Sequence, residues 1–362
     1  METQVKAKVH NFSAGPCILP PEVLRKASES VLELDGHGLS LIEMSHRSKP
    51  FVEIMEKARS LVRELLDVPD NYTVLFLQGG ASLGFYMSAI NFMKNEGGKG
   101  AYLDTGTWSS GAIKEAKLLG EVITVASGKD VDYTKIPKDY TIPADADYFH
   151  ITSNNTIRGT QIKKFPECSI PMICDMSSDI FSKKINVSDF DLIYAGAQKN
   201  MGPAGTTLYI VNKDMLGKTG RQIPSMLDLQ KQDAKDSMYN TPPVFAVYGS
   251  MLMMEWMKSI GGVAELEKRN DAKAKLLYDE IDRNSLFKGT TAVEDRSFMN
   301  PTFVLTDEAH TEKFDKMWKA AGVSGINGHR SVGGYRASMY NALPIESVQI
   351  LVDVMKELEN NA

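Results

Sequence analysis

The residues best placed to do chemistry are a lysine and an aspartate, each at the end of an apolar run. Lys199 stands in Ala195-Gly196-Ala197-Gln198-Lys199-Asn200-Met201-Gly202-Pro203-Ala204-Gly205, after the run Leu192 to Ala197. Most lysines are solvated surface groups. One at a strand end among very small residues is different, because burial disfavours its ammonium form. The neutral amine can form a Schiff base with an aldehyde, and small neighbours leave room for a flat ring. Asp175 closes the run Met172-Ile173-Cys174. It could cap a turn. It could equally pair with a pyridinium nitrogen and keep that ring an electron sink. The order strand–Asp, strand–Lys brings both to one carboxyl edge, where open α/β sheets bind ligands.

Other candidates follow other apolar runs. Gln78-Gly79-Gly80-Ala81-Ser82 lies between Val74–Leu77 and a helical stretch. Glycines and a helix N-terminus suit a phosphate. The loop is neither GxGxxG nor a Walker A motif, which speaks against a dinucleotide or ATP. Trp108 follows the run Ala101–Asp104 and could stack on an aromatic group or fill a core. Thr156, in Ser153-Asn154-Asn155-Thr156, could serve a phenolic oxygen or a turn. Two basic clusters, Ser45-His46-Arg47-Ser48 and Gly328-His329-Arg330-Ser331-Val332-Gly333-Gly334-Tyr335-Arg336, suit two anionic groups on one substrate.

These residues need a scaffold. Short β-rich runs alternate with helical periodicity through the first two-thirds: Val74–Leu77, Ala101–Asp104, Glu121–Ala126, Tyr148–Ser153, Met172–Met176, Leu192–Ala197 and Thr206–Val211. Continuously apolar strands between helices predict an α/β domain with a mostly parallel sheet of these seven strands. Helices are predicted over Pro50–Leu66 and Ser110–Gly120 between them. After Asn240-Thr241-Pro242-Pro243 long helices dominate, over Val244–Ser259 and Gly262–Arg283. A short strand at Pro301–Thr306, a helix at Glu312–Ala321 and a last helix after Pro344 complete a small α+β domain. The division expected is 1–257 and 258–362, with the first ten or so residues free to pack with either part.

Composition is that of an ordinary globular chain of 362 residues, 43% hydrophobic and 24% charged. A net charge of −5 gives no basic surplus for nucleic acid or an anionic membrane. Three cysteines without a CxxC pair predict no disulfide framework, and six histidines without metal-ligand spacing predict no metal site. The opening residues lack an apolar signal core, and no stretch looks able to span a bilayer, so a cytoplasmic protein is expected.

Taken together, the motifs NFSAGP, SHRS, the Gly-Gly loop, GTW, CDMSSD, AGAQKN, YNTPP and GHRSVGGYRAS resemble phosphoserine aminotransferases, class-V members of the fold type I enzymes that use pyridoxal 5'-phosphate. The resemblance runs almost end to end. It implies that Lys199 forms the Schiff base and then shuttles the proton, and that Asp175 pairs with the ring nitrogen. Trp108 would stack on the ring, and Thr156 would lie near its phenolic oxygen. Ala81, Ser82 and Gln198 match phosphate-binding positions, and Asn240 and Thr241 positions reaching the phosphate from a neighbouring subunit. Arg336 would clamp the substrate α-carboxylate. His46 and Arg47 would bind the side-chain anion, with His329 and Arg330 entering from the partner of a homodimer. The implied reaction exchanges an amino group between phosphoserine and 2-oxoglutarate, giving 3-phosphooxypyruvate and glutamate. Many members also aminate 3-hydroxy-2-oxo-4-phosphooxybutanoate, a precursor of pyridoxine. Ser82 stands where some members carry an arginine for the substrate phosphate. The rival readings are another fold type I enzyme acting on a small amino acid, including a cysteine desulfurase, a nucleotide-binding dehydrogenase, and a non-catalytic scaffold. A desulfurase needs a mobile loop cysteine, and Cys17, Cys168 and Cys174 have no evident claim to that role.

Overall fold

A computed structural model describes residues 9–361 of the chain. The expectation about the first eight residues therefore lies outside the described part.

The seven apolar runs form one sheet. In chain order its strands are β1 (Tyr72–Leu77), β2 (Lys99–Asp104), β3 (Glu121–Ser127), β4 (Tyr148–Thr152), β5 (Met172–Asp175), β6 (Leu192–Gly196) and β7 (Thr207–Asn212). Their spatial order is β1-β7-β6-β5-β4-β2-β3. β7 runs antiparallel to both neighbours, and the remaining pairs are parallel. Six strands thus point one way, and the turns that follow them open on one edge.

β1, β4, β5 and β6 are buried along their whole length, as continuous apolar runs require when helices cover both faces. On one face Phe76, Phe149, Ile151 and Ile193 pack with the helices Lys49–Leu66 and Val244–Ser259. On the other, Leu75, Tyr102, Ile173 and Tyr194 pack with Gly80–Phe92 and Thr107–Ala116. Each large apolar side chain so enclosed contributes about 1.5–3 kcal/mol. A third core joins the helices Gly262–Arg283, Thr311–Ala320 and Ile345–Asn360 to a three-stranded sheet of Phe287–Gly289, Thr302–Leu305 and Tyr335–Arg336. Phe12 and Ile18 belong to this third core, and His10–Asn11 pairs in parallel with Val323–Ser324.

Some local boundaries differ from the sequence expectation. The helix expected over residues 110–120 spans Thr107–Ala116. It starts early because the Ser109 hydroxyl accepts from the Thr105 and Gly106 amides, at 2.8 and 2.9 Å. The helix Pro21–Leu32 was not among those expected, although a proline at its first position and a buried stripe of Val23, Ala27 and Ser30 account for it.

Candidate active site

The turns after β1, β2, β4, β5 and β6 bring the candidate residues to the same edge of the sheet. β6 ends at Gly196, and the next residues turn back sharply: Ala197 O accepts from the amides of Met201 at 3.1 Å and Gly202 at 2.8 Å. Lys199 sits at the head of this turn. Its small neighbours turn out to serve packing. A Cβ on Gly202 would lie 2.6 Å from Ser250 Oγ, and one on Gly205, at φ +130°, 3.0 Å from the Ala246 Cβ. Gly202 and Gly205 thus make way for the helix Val244–Ser259, and not for a ligand as the sequence reading supposed.

Lys199 is half-buried, and desolvation holds its pKa below the ordinary lysine value. Asp175 opposes that shift, while the Arg336 guanidinium adds to it. Its ammonium lies 5.6 Å from the centre of the Trp108 ring. Trp108 stands one residue into the helix after β2, and its Nε1–H donates to Thr156 Oγ1 at 3.0 Å. Arg336 donates from one terminal nitrogen to the Thr156 carbonyl at 2.9 Å, while its Nε is buried and meets no acceptor. A guanidinium held at one end with a free N–H at the other is suited to grip a carboxylate.

Asp175 ends β5 and is buried. Desolvation raises its pKa, and hydrogen bonds from Ser177 act against the rise. Its register partners are Thr152 on β4 and Tyr194 on β6.

At the N-terminus of the helix Gly80–Phe92, Gly79 has φ +103°, and a Cβ there would run into Leu83 Cδ2 at 2.3 Å. Only glycine permits this entry, and the first-turn amides of Ala81 and Ser82 have no intrahelical acceptor. Such amides form an anion site. Gln198 is half-buried, and its carbonyl accepts from Cys17 N at 3.1 Å. Asn240 and Thr241 are exposed; the Thr241 carbonyl accepts from Gln78 Nε2 of the same chain at 2.7 Å, beside the Gly-Gly loop.

The remaining basic residues stand apart. His46 is buried with Nε2 unpartnered, its pKa lowered by desolvation and by Arg47, which is itself exposed. His329 shares a 2.7 Å hydrogen bond with Ser331 Oγ, and Arg330 lies exposed on the same loop, which Gly328 N closes onto Gly334 O at 2.8 Å. Among the described residues, no hydrogen bond or ion pair joins these four to the group around Lys199.

These residues fit pyridoxal phosphate. A lysine pressed to lose its proton suits the aldehyde. A buried carboxylate suits a ring nitrogen, an indole suits the ring face, and free helix amides suit the phosphate.

The chain belongs to the class-V aminotransferase family, whose model matches residues 9–351. Within that family it is similar to phosphoserine aminotransferases. The one from Flavobacterium psychrophilum is 66% identical over 98% of this chain and 99% of its own. The solved structure of the one from Bacillus circulans subsp. alkalophilus is 42% identical, with a TM-score of 0.94 over 98% of this chain and 99% of the other. That of the pyridoxal-phosphate-bound enzyme from Trichomonas vaginalis is 37% identical, with a TM-score of 0.92 over 96% and 100%. The architecture is that of fold type I.

Two parts of the site were missed by reasoning from sequence. The segment around Gly15 and Cys17 packs on the turn: a Cβ on Gly15 would lie 3.6 Å from Lys199 Cγ, and Cys17 Sγ donates to the Lys199 carbonyl. Burial pushes the Cys17 thiol up to about 12. A buried thiol that donates to the Lys199 carbonyl is unlike the mobile loop cysteine that a desulfurase needs. Ser177, two residues after Asp175, was also passed over, although that spacing is the ordinary signal of a side chain closing its own turn.

Proposed function

We propose that this chain is a pyridoxal-phosphate-dependent phosphoserine aminotransferase of serine biosynthesis, which exchanges an amino group between glutamate and 3-phosphooxypyruvate. The observation that carries this reading is the Lys199 amine. Desolvation lowers its pKa, and it faces an indole ring near a buried carboxylate and a guanidinium with a free buried N–H. Similarity to phosphoserine aminotransferases supports the choice of substrate.

When bound, pyridoxal phosphate supplies an aldehyde for amine exchange and a ring that takes up the electron pair left at the substrate α-carbon. Asp175 would pair with the ring nitrogen and keep it protonated. Trp108 would cover the ring face, and Thr156, bonded to Trp108, would serve the phenolic oxygen. The amides of Ala81 and Ser82 and the Gln198 side chain would hold the phosphate. Arg336 Nε fixes the α-carboxylate shared by both amino acids and both oxo acids. With the cofactor in place, Lys199 Nζ would be the group that takes the proton from the substrate α-carbon and returns one. Burial disfavours the Lys199 ammonium, which suits the amine to accept that proton.

His46, Arg47, His329 and Arg330 meet the side-chain anion, a phosphate in one half-reaction and a γ-carboxylate in the other. Asn240, Thr241, His329 and Arg330 reach across from the second copy of a homodimer. Exposed apolar side chains support a covered face: Leu24, Leu32, Leu39 and Ile42 are 45, 83, 50 and 57% exposed. No described helix is long and apolar enough to cross a membrane, in keeping with work in the cytoplasm.

The test is spectroscopic. The cofactor absorbance of the purified protein is expected to bleach with phosphoserine and return with 2-oxoglutarate. Equal bleaching by serine would overturn the substrate and leave the cofactor chemistry standing. Mixing Lys199→Ala with Arg330→Ala subunits tests the shared site: recovered activity is expected, and none would refute it.

A further inference from the structure

The two oxygens of Asp175 are not equivalent. Oδ1 accepts from the Ser177 amide at 2.9 Å and from the Ser177 hydroxyl at 2.6 Å. Oδ2 receives no hydrogen bond from any described residue. Ser177 Oγ also lies 3.1 Å from the amide nitrogen of Gly196. An amide N–H can only donate, so Oγ accepts there. The single hydroxyl proton is then left for Asp175 Oδ1, and its direction is determined by the backbone. Ser177 is itself buried, so little water competes for either bond.

The position of Gly196 gives this chain of bonds its meaning. Gly196 ends β6, three residues before Lys199, while Asp175 ends β5 beside it. One hydroxyl therefore ties the carboxylate to the foot of the turn that carries the lysine. Asp175 also needs such help. Burial drives it toward the neutral acid, and the two Ser177 bonds oppose that more than the Lys199 charge does. A protonated acid would lose its attraction for a pyridinium nitrogen.

We propose that Ser177 is a positioning residue for the cofactor: directed by the Gly196 amide, it holds Asp175 in place as a carboxylate through Oδ1 and leaves Oδ2 for the ring nitrogen. This rests on the reading above that Asp175 pairs with that nitrogen. Ser177 touches neither substrate nor cofactor on this view and acts only through Asp175. Its removal should therefore matter only while the carboxylate is there, whereas a purely structural serine would matter equally with or without it.

The experiment is a double-mutant cycle on cofactor binding. Apoprotein of the wild type, Ser177→Ala, Asp175→Asn and the double variant is titrated with pyridoxal 5'-phosphate, following quenching of indole fluorescence. Ser177→Ala is expected to weaken binding by about 10- to 100-fold, the range for losing a hydrogen bond to a charged group. Ser177→Thr, which keeps the hydroxyl, should recover most of the loss. In the Asp175→Asn background, Ser177→Ala should cost under about three-fold, because the group it serves is gone. If Ser177→Ala yields no folded apoprotein, Ser177→Cys, a far weaker donor, carries the same cycle. Wild-type affinity in Ser177→Ala, or an equal loss in both backgrounds, overturns the proposal while Asp175 keeps its role. An Asp175→Asn protein that binds as tightly as the wild type overturns both.

Discussion

The turn that carries Lys199 and the loops that carry Arg47 and Arg330 are both polar, yet they are built in opposite ways. Around Lys199 each polar side chain is held by a hydrogen bond to a neighbour that is itself fixed. Asp175 is fixed by Ser177, Ser177 by Gly196, Trp108 by Thr156 and Arg336 by the Thr156 carbonyl. Arg47 and Arg330 are exposed. The difference matches two tasks. A ring that must stay in one plane needs a rigid seat, because electrostatic help is greatest from groups that need not reorganise. An anion site that receives a phosphate and a carboxylate in turn needs side chains that can follow either.

If the comparison holds, damage on the rigid side should be severe and independent of substrate. Lys199→Ala comes first. It removes both the covalent anchor and the proton carrier, and turnover should fall by at least about three orders of magnitude with the fold intact. Single-turnover kinetics beside a circular dichroism spectrum measure this. Borohydride reduction and peptide mapping of the wild type should label Lys199, and label on another lysine would move the site. Asp175→Asn comes next. It keeps the shape and removes the charge, and should lower turnover by about two orders of magnitude or more, in both half-reactions alike. Near-normal rates would take Asp175 out of the chemistry.

The two sides also differed in how far the sequence disclosed them. The rigid side is written in apolar runs, and a run of four to six buried residues ending in a single Lys or Asp is conspicuous. All seven strands were recognisable from their short β-rich runs, within a residue or two at their ends. Gly202 and Gly205 were misread because a glycine that admits a ligand and one that admits a helix look alike in sequence; only the contacts with Ser250 and Ala246 tell them apart. The helix Pro21–Leu32 escaped because its exposed residues outnumber its buried ones, so its apolar stripe is narrow. Ser177 escaped because its role depends on Gly196, nineteen positions away and adjacent only through strand pairing. On the loop side, residue types alone marked the clusters, and charge says nothing of which subunit a loop serves.

The arginines sharpen the contrast further. Arg336→Ala should reduce kcat/KM for glutamate and phosphoserine by similar factors, since both carry the α-carboxylate. Arg47→Ala or Arg330→Ala should harm phosphoserine more, because a phosphate brings nearly two charges at neutral pH and a γ-carboxylate only one. The split should be about ten-fold, the worth of roughly one charge-assisted contact. Measuring both half-reactions in the three variants decides it. Equal losses for both substrates in Arg47→Ala and Arg330→Ala would place those loops outside the anion site.

The smallest effect concerns His46, the one loop-side residue that is buried. Desolvation, with Arg47 beside it, lowers its pKa below the ordinary histidine value, and Nε2 has no partner in the chain. The folded protein therefore resists protonating a side chain that the unfolded chain protonates freely near pH 6.5. A histidine with a lowered folded pKa contributes stability that is whole above its unfolded pKa and is lost as pH falls through it and on toward the folded value. His46→Gln should remove that contribution, so its melting temperature should fall less between pH 7.5 and 5.5 than that of the wild type, by about a degree or two. Saturating phosphoserine should work the other way in the wild type. A phosphate beside the imidazole favours the charged form and should reduce the acid loss, but not in His46→Gln. Thermal melts at the two pH values, with and without phosphoserine, give all four comparisons. An identical pH dependence in variant and wild type would remove His46 from the account. A ligand effect that survives in His46→Gln would shift the phosphate contact to Arg47 and its neighbours.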